Sequence, residues 1–204
     1  MDIGELAVFS FYANKPITTG EGGMVLTRDA DVAARIRSHA NLCFGREERF
    51  RHEELGGNFR FTNVQAAIGI SQLSRLADTL ASKRRVGAGY RRRLASLDAV
   101  RMQVHAPWAR PIDWMVGVVL EDDRGDARAI ARRLDARGIE TRPFFLGMHE
   151  QPVFRARGLF EGERYPIAER LSRRGFYLPS SPSLDDAALD RVCDELRGAL
   201  AERA

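Results

Sequence analysis

The chain has 204 residues, of which 44% are hydrophobic and 29% charged, and its 32 basic and 28 acidic side chains leave a net charge of +4. This is an ordinary globular composition, long enough for one good core or two small domains. It excludes a membrane-spanning protein, since no apolar run nears the roughly 20 residues a bilayer requires, and its near-balanced charge argues against a nucleic-acid binder.

The first five residues, Met1-Asp2-Ile3-Gly4-Glu5, have neither a basic region nor an apolar one, so no secretory signal is expected. Ala7 to Tyr12 is short, rich in strand formers, and ends at Asn14-Lys15-Pro16. Proline keeps the residue before it out of the right-handed helical region, which predicts an extended or turn conformation for Lys15. Thr18 to Gly23 reads as a glycine-rich turn and Met24 to Thr27 as a second strand. Asp29 to Ala40 has helical spacing, with Val32 and Ile36 on one face. Asn41 to Arg60 has no clean period and is expected to be a long loop, the kind of segment that often carries function.

Thr62 can cap a long helix beginning at Asn63. Its apolar pattern runs through Leu73, Leu76 and Leu80 and extends towards Tyr90, Leu94 and Leu97, with Gly87 and Gly89 weakening the middle. Further along, Met115 to Leu120 reads as a strand, Asp126 to Arg137 as a helix closed by Gly138, and Ile139 to Arg142 as a strand. A helix from Pro166 to Arg174, an extended Phe176 to Pro179 and a last helix from Asp185 to about Arg203 complete the chain. This alternation predicts a small α/β domain at the end of a long linking helix, with the boundary near residue 85. The basic clusters Lys83-Arg84-Arg85, Arg91-Arg92-Arg93 and Arg132-Arg133 fall on helical stretches and read as solvated faces.

Among candidate chemical residues Lys15 comes first. A lysine that forms a covalent bond to a carbonyl must be rigidly held and lose its proton, which favours a partly buried strand end. An exposed loop lysine is the alternative reading. Ser10, five residues earlier, offers a hydroxyl to a phosphate, or else bonds its own backbone. Asn58 and Arg60, in the loop entering the second helix, can face an anion, although Arg60 can equally pair with an acid such as Glu53. His39, His52, His105 and His149 lack partners at metal or triad spacing and read as surface or satisfied histidines. Cys43 and Cys193 match no metal spacing, and a reduced, cytoplasmic setting is expected.

The segment Ser10-Phe11-Tyr12-Ala13-Asn14-Lys15-Pro16-Ile17-Thr18-Thr19-Gly20-Glu21-Gly22-Gly23-Met24 resembles the active-lysine region of the DegT/DnrJ/EryC1/StrS sugar aminotransferases. Gly57-Asn58-Phe59-Arg60-Phe61-Thr62-Asn63 running on to Gly69 is similar to a second stretch of that family. Ile139 to Pro143 and Leu178 to Leu184 match it further along, and the lysine segment is especially similar to the GDP-perosamine synthase branch. The resemblance implies the carboxyl-terminal portion of a fold-type I pyridoxal-phosphate-dependent transferase. That portion comprises the end of the large domain (residues 1–85), a long linking helix and a small α/β domain (residues 86–204).

It further implies that Lys15 binds pyridoxal 5′-phosphate covalently and carries a proton, and that Ser10 binds the cofactor phosphate. Asn58 would reach the phosphate of the neighbouring subunit's cofactor in a homodimer, and Arg60 would lie near the substrate. The implied reaction moves an amino group from glutamate to a nucleotide-linked 4-keto-6-deoxysugar. In the family, the half preceding a segment like Asp2 to Glu5 supplies the acid at the pyridine nitrogen, the aromatic on the ring and much of the phosphate site. A truncated or partner-dependent subunit is therefore the alternative expectation. Gly147-Met148 departs from the residues that precede the histidine in relatives, which bears on any substrate role for His149.

Overall fold

The computed structural model describes residues 4–45, 47–121 and 126–202. Asp2 and Ile3 of the leading segment, and Arg203 at the expected end of the last helix, lie outside the described residues. The chain forms two compact units, Met1–Thr79 and Leu80–Ala204. The division falls six residues ahead of the cut expected at 85, within one helix. No helix among the described residues is long and apolar enough to cross a membrane.

Unit 1 opens with the strands β1 (Leu6–Ser10) and β2 (Gly23–Thr27), paired antiparallel with Leu6 opposite Thr27 and Ser10 opposite Gly23. The first strand stops at Ser10, two residues short of the expectation. The chain turns there, with Lys15 N–H bonded to Tyr12 O at 2.9 Å. Helix α1 (Ala30–Ala40) starts where Asp29 Oδ1 accepts from the N–H groups of Asp31 and Val32 at 2.8 and 3.0 Å. Helix α2 (Asn63–Leu73) is capped by Thr62, whose hydroxyl accepts from Gln65 N while Gln65 Oε1 accepts from Thr62 N. This reciprocal pair satisfies two amides that the helix itself cannot reach.

The helix expected to run on from Asn63 breaks instead. Ser74 N–H bonds Ile70 O, Arg75 N–H bonds Gln72 O, and the Ser74 hydroxyl donates to Ser71 O, so the chain tightens before α3 (Leu76–Leu94) begins. Gly87 and Gly89, read as weak points, lie inside an unbroken α3. A Cβ at Gly87 would meet Asp113 Oδ2 at 2.3 Å, and one at Gly89 would meet Leu189 Cδ1 at 2.7 Å. Close packing fixes these glycines, and it more than offsets their poor helix propensity.

In unit 2, β3 (Val100–Met102), β4 (Val116–Leu120), β5 (Arg142–Pro143) and β6 (Gly175–Leu178) form one antiparallel sheet ordered β3-β4-β6-β5. Helices α4 (Ala127–Asp135), α5 (Pro152–Arg155), α6 (Pro166–Arg174) and α7 (Asp186–Ala201) accompany it, with a 3-10 turn at Met148–Glu150. The strand expected from Ile139 shrinks to two residues. Ile139 itself is 4% exposed and joins the core rather than the sheet. Val116, Val118 and Leu120 of β4, Phe176 and Leu178 of β6, and the inward residues of α3, α4 and α7 make one continuous core.

Several basic side chains read as solvated are instead internal fasteners of unit 2. Lys83 is buried, its ammonium donating to Trp114 O at 2.9 Å and Ser180 O at 2.6 Å, and burial pushes its pKa down. Arg85 donates to Pro182 O and Leu184 O, and the Tyr90 hydroxyl to Pro179 O at 2.8 Å. Arg91 grips Asp113 with two guanidinium nitrogens, while Arg93 bridges Asp186 and Asp190. The Leu178 to Leu184 motif is thereby clasped by three residues of α3, which makes it a scaffold segment.

Candidate functional site

The site candidates gather in unit 1 around the turn that follows β1. Lys15 is half-buried, one residue before Pro16, and its amide is fixed to Tyr12 O. The chain returns beneath it through Thr19 N–H to Phe11 O at 3.0 Å, with the Thr18 hydroxyl on the same carbonyl at 3.2 Å. Phe11 N–H bonds Gly22 O at 2.9 Å. These bonds hold the lysine-bearing turn and the glycine turn as one piece. Ser10 is exposed, and its Oγ accepts from Tyr12 N at a long 3.4 Å. The hydroxyl is thus only weakly engaged by its own backbone and is open to another partner.

The N-terminus of α2 closes against the glycine turn. Gln65 Nε2 donates to Glu21 O at 3.3 Å, and the Phe61 ring lies 5.9 Å from that of Phe11. Gly22 has φ +116°, and a Cβ there would stand 2.5 Å from Phe61 Cε2. Both the torsion and the space demand glycine. Gly22→Ala is therefore expected to lower the unfolding free energy by about 1–3 kcal/mol. Gly20→Ala, at φ +80° with open space, is expected to cost only about 1 kcal/mol. Urea unfolding of the two variants checks the difference.

Asn58 and Arg60 are exposed on the stretch that leads into α2, and Arg60 Nε donates to Asn58 Oδ1 at 2.8 Å. The partner that Arg60 takes is this amide, where Glu53 was the alternative. Arg60 lines an open groove of about 810 Å³ together with Gly22, Gly23, Phe59, Phe61 and Gln65. Lys15, Ser10 and Asn58 are not among its lining residues. The fold thus brings Arg60 to the glycine turn, while Ser10 and Lys15 stand five residues apart along the end of β1 and the turn after it.

The residues that sequence reading passed over are Gln65, Phe61 and a histidine. The capping signal in Thr62-Asn63-Val64-Gln65 was legible, but not that Gln65 also reaches Glu21, 44 residues away. His39, read as a surface or satisfied histidine with no partner at metal or triad spacing, has its Nδ1 3.5 Å from Cys43 Sγ and its Nε2 3.1 Å from Glu54 Oε2. His52 Nδ1 lies 2.8 Å from Leu42 O. His105 sits beside Asp113 at 3.3 Å and also contacts Arg91. His149 is buried, 3.4 Å from Glu169 Oε1, with its ring tilted against that of Tyr165 at 4.8 Å, so it is an interior histidine of unit 2.

Comparison with known proteins agrees over the chain's length. The model of the DegT/DnrJ/EryC1/StrS aminotransferase family matches residues 2–197. The GDP-perosamine synthase of Caulobacter vibrioides is 38% identical over 192 residues, which are 93% of this chain and 51% of that protein. That of Escherichia coli O157:H7 is 34% identical over 197 residues, 95% of this chain and 51% of that protein. Among solved structures, S. venezuelae DesV in complex with a ketimine intermediate superposes with a TM-score of 0.82 at 29% identity, covering 100% of this chain and 54% of that one. TlmJ from Streptoalloteichus hindustanus gives 0.83 at 29%, covering 98% and 53%. The chain spans about half the length of the curated relatives it matches.

Proposed function

The chain belongs to the DegT/DnrJ/EryC1/StrS aminotransferase family, and from that premise we propose that it carries the lysine-bearing half of a pyridoxal-phosphate-dependent sugar transaminase. The amino donor is glutamate, and the acceptor is a nucleotide-linked 4-keto-6-deoxysugar of the kind a GDP-perosamine synthase uses. Identities of 33–38% to three such synthases support that choice of acceptor. The observation that carries the reading is Lys15, a half-buried amine on a turn fixed by Tyr12 O and Pro16, with the lightly held Ser10 hydroxyl at the end of the strand before it.

These residues fit the cofactor. Lys15 Nζ would hold it covalently and would move a proton to and from the substrate carbon, and Ser10 Oγ would donate to its phosphate. When bound, pyridoxal phosphate supplies the electron sink that the polypeptide lacks. Asn58 is assigned to the cofactor phosphate of a second subunit in a homodimer, and Arg60 to the anionic substrate, for which a guanidinium is suited. The Arg60–Asn58 bond keeps both side chains on one exposed edge ready for these roles. A cytoplasmic setting accords with the supply of nucleotide sugars.

The test is a transamination assay on the purified chain supplied with pyridoxal phosphate, glutamate and a GDP-linked 4-keto-6-deoxyhexose. The expected result is 2-oxoglutarate released in step with the amino sugar. Cofactor uptake with turnover of a different keto sugar overturns the choice of acceptor. Failure to take up cofactor at all overturns the reading of the chain.

A further inference from the structure

His39 closes the last turn of α1, Cys43 follows four residues later, and Glu54 returns from the loop beyond. Two edges of one imidazole ring are engaged. Nδ1 faces Cys43 Sγ at 3.5 Å, and Nε2 faces Glu54 Oε2 at 3.1 Å. An ionised carboxylate only accepts hydrogen bonds, so Glu54 fixes the neutral ring's proton on Nε2. That leaves the Nδ1 lone pair directed at the thiol. Leu55 O lies 3.3 Å from the same Nδ1. It has no proton to accept in the neutral pair, but it gains one once Nδ1 is protonated. The ring thus offers the thiol a proton acceptor, and Leu55 O offers a partner to that proton once it has moved.

We propose that Cys43 is an activated thiol, with His39 as its base and Glu54 as the residue positioning that base, and that it exchanges with low-molecular-weight disulfides. The Cys43 proton passes to His39 Nδ1, and the thiolate attacks one sulfur of the disulfide. A new S–S bond forms as the old one breaks, and the departing thiolate takes the proton back from His39. A metal ion is the competing use of these three side chains, whose ligand atoms lie within 4.8 Å of one another. A single cation would need one ring nitrogen to face both sulfur and carboxylate, whereas the ring presents a different nitrogen to each. The relay needs no rearrangement.

The consequence reaches the candidate site. Gly56 packs directly on the cysteine, since a Cβ there would lie 2.6 Å from Cys43 N and 2.9 Å from Sγ. An adduct on Sγ must displace Gly56. The adjoining ladder joins Leu42 N–H to Gly57 O at 3.0 Å, Gly57 N–H to His39 O at 2.9 Å and Phe59 N–H to Ala40 O at 2.9 Å. Asn58 sits in that ladder, bridged to Asn41. Mixed-disulfide formation at Cys43 therefore loosens the strand that presents Asn58 and Arg60, a redox device independent of what those two residues bind.

The chain supplies its own control. Cys193 is the second thiol, buried in unit 2 as Cys43 is buried in unit 1. Reaction of the purified chain with 2-hydroxyethyl disulfide at neutral pH, followed by peptide mass spectrometry, reads both cysteines at once. The expected result is adduct formation at Cys43 about tenfold or more faster than at Cys193, slowed about tenfold by His39→Ala. Glu54→Gln is expected to slow it several-fold and Glu54→Asp to restore most of the rate, which a merely structural role would not require. Amide exchange at Gly57 and Phe59 should rise after modification. Equal rates at the two cysteines, or no loss in His39→Ala and Glu54→Gln, would overturn the relay. Modification that leaves those two amides protected would overturn the coupling to the strand.

Discussion

Replacing Lys15 with alanine is expected to abolish covalent capture of pyridoxal phosphate and to lower amino transfer by about a thousand-fold or more. Treated with cofactor and borohydride, the native chain should carry the cofactor's mass on the peptide containing Lys15, and Lys15→Ala should carry none. The experiment has a built-in competitor, because the sequence holds only two lysines. Lys83 has the lowered pKa that covalent capture favours, but its ammonium is buried and tied to Trp114 O and Ser180 O. Lys15 stands half-buried on an accessible turn. Geometry therefore favours Lys15 over Lys83 for this role. An adduct found on Lys83, or undiminished capture in Lys15→Ala, would refute the assignment.

The second large effect is on stability, and it separates the two units. Phe176→Ala is expected to lower the unfolding free energy by about 3–5 kcal/mol, measured by urea unfolding followed by circular dichroism. Phe176 is 1% exposed, pairs with Val118 across β6 and β4, and belongs to the core shared by α3, α4 and α7. Removing its ring leaves a cavity walled by sheet and helices that cannot collapse freely. Val64→Ala in α2 provides the contrast. Val64 is 71% exposed, so its truncation should change stability by no more than about 0.5 kcal/mol.

That contrast reflects how unevenly burial is distributed. Among the described residues of unit 1, Cys43 is the one buried hydrophobic residue, while Val8, Phe9, Met24, Ile68 and Ile70 remain exposed. Unit 1 is held by the hairpin ladder, by caps and by the side-chain clasp of Gln65 and Phe61 on the glycine turn. Unit 2 is held by a packed apolar core and by basic side chains turned inward onto carbonyls and carboxylates. The strand read over Ala7 to Tyr12 forms over Leu6–Ser10, yet alternation could not reveal that large apolar residues stay exposed on both faces of the hairpin. Periodicity reports which residues could be buried, and only packing partners bury them.

The sequence by itself determined the features set by neighbours along the chain. Pro16 places Lys15 on a turn, Asp29 and Thr62 start their helices, and the paired strands flank a glycine turn that Gly22 alone can complete. Each depends on torsions and hydrogen bonds spanning only a few residues, so local chemistry suffices. The motifs around Lys15 and Asn58 also pointed to the family before any coordinates did. Only the tertiary structure decided the rest. It broke the long helix at Ser74, made glycines of α3 into points of close contact, and drew Lys83, Arg91 and Arg93 out of otherwise exposed basic clusters into internal contacts. It also brought Glu54 onto His39 and Cys43 and Gln65 onto Glu21. Those outcomes rest on contacts between residues far apart in sequence, whose free energy is gained only when packing holds the intervening chain in place.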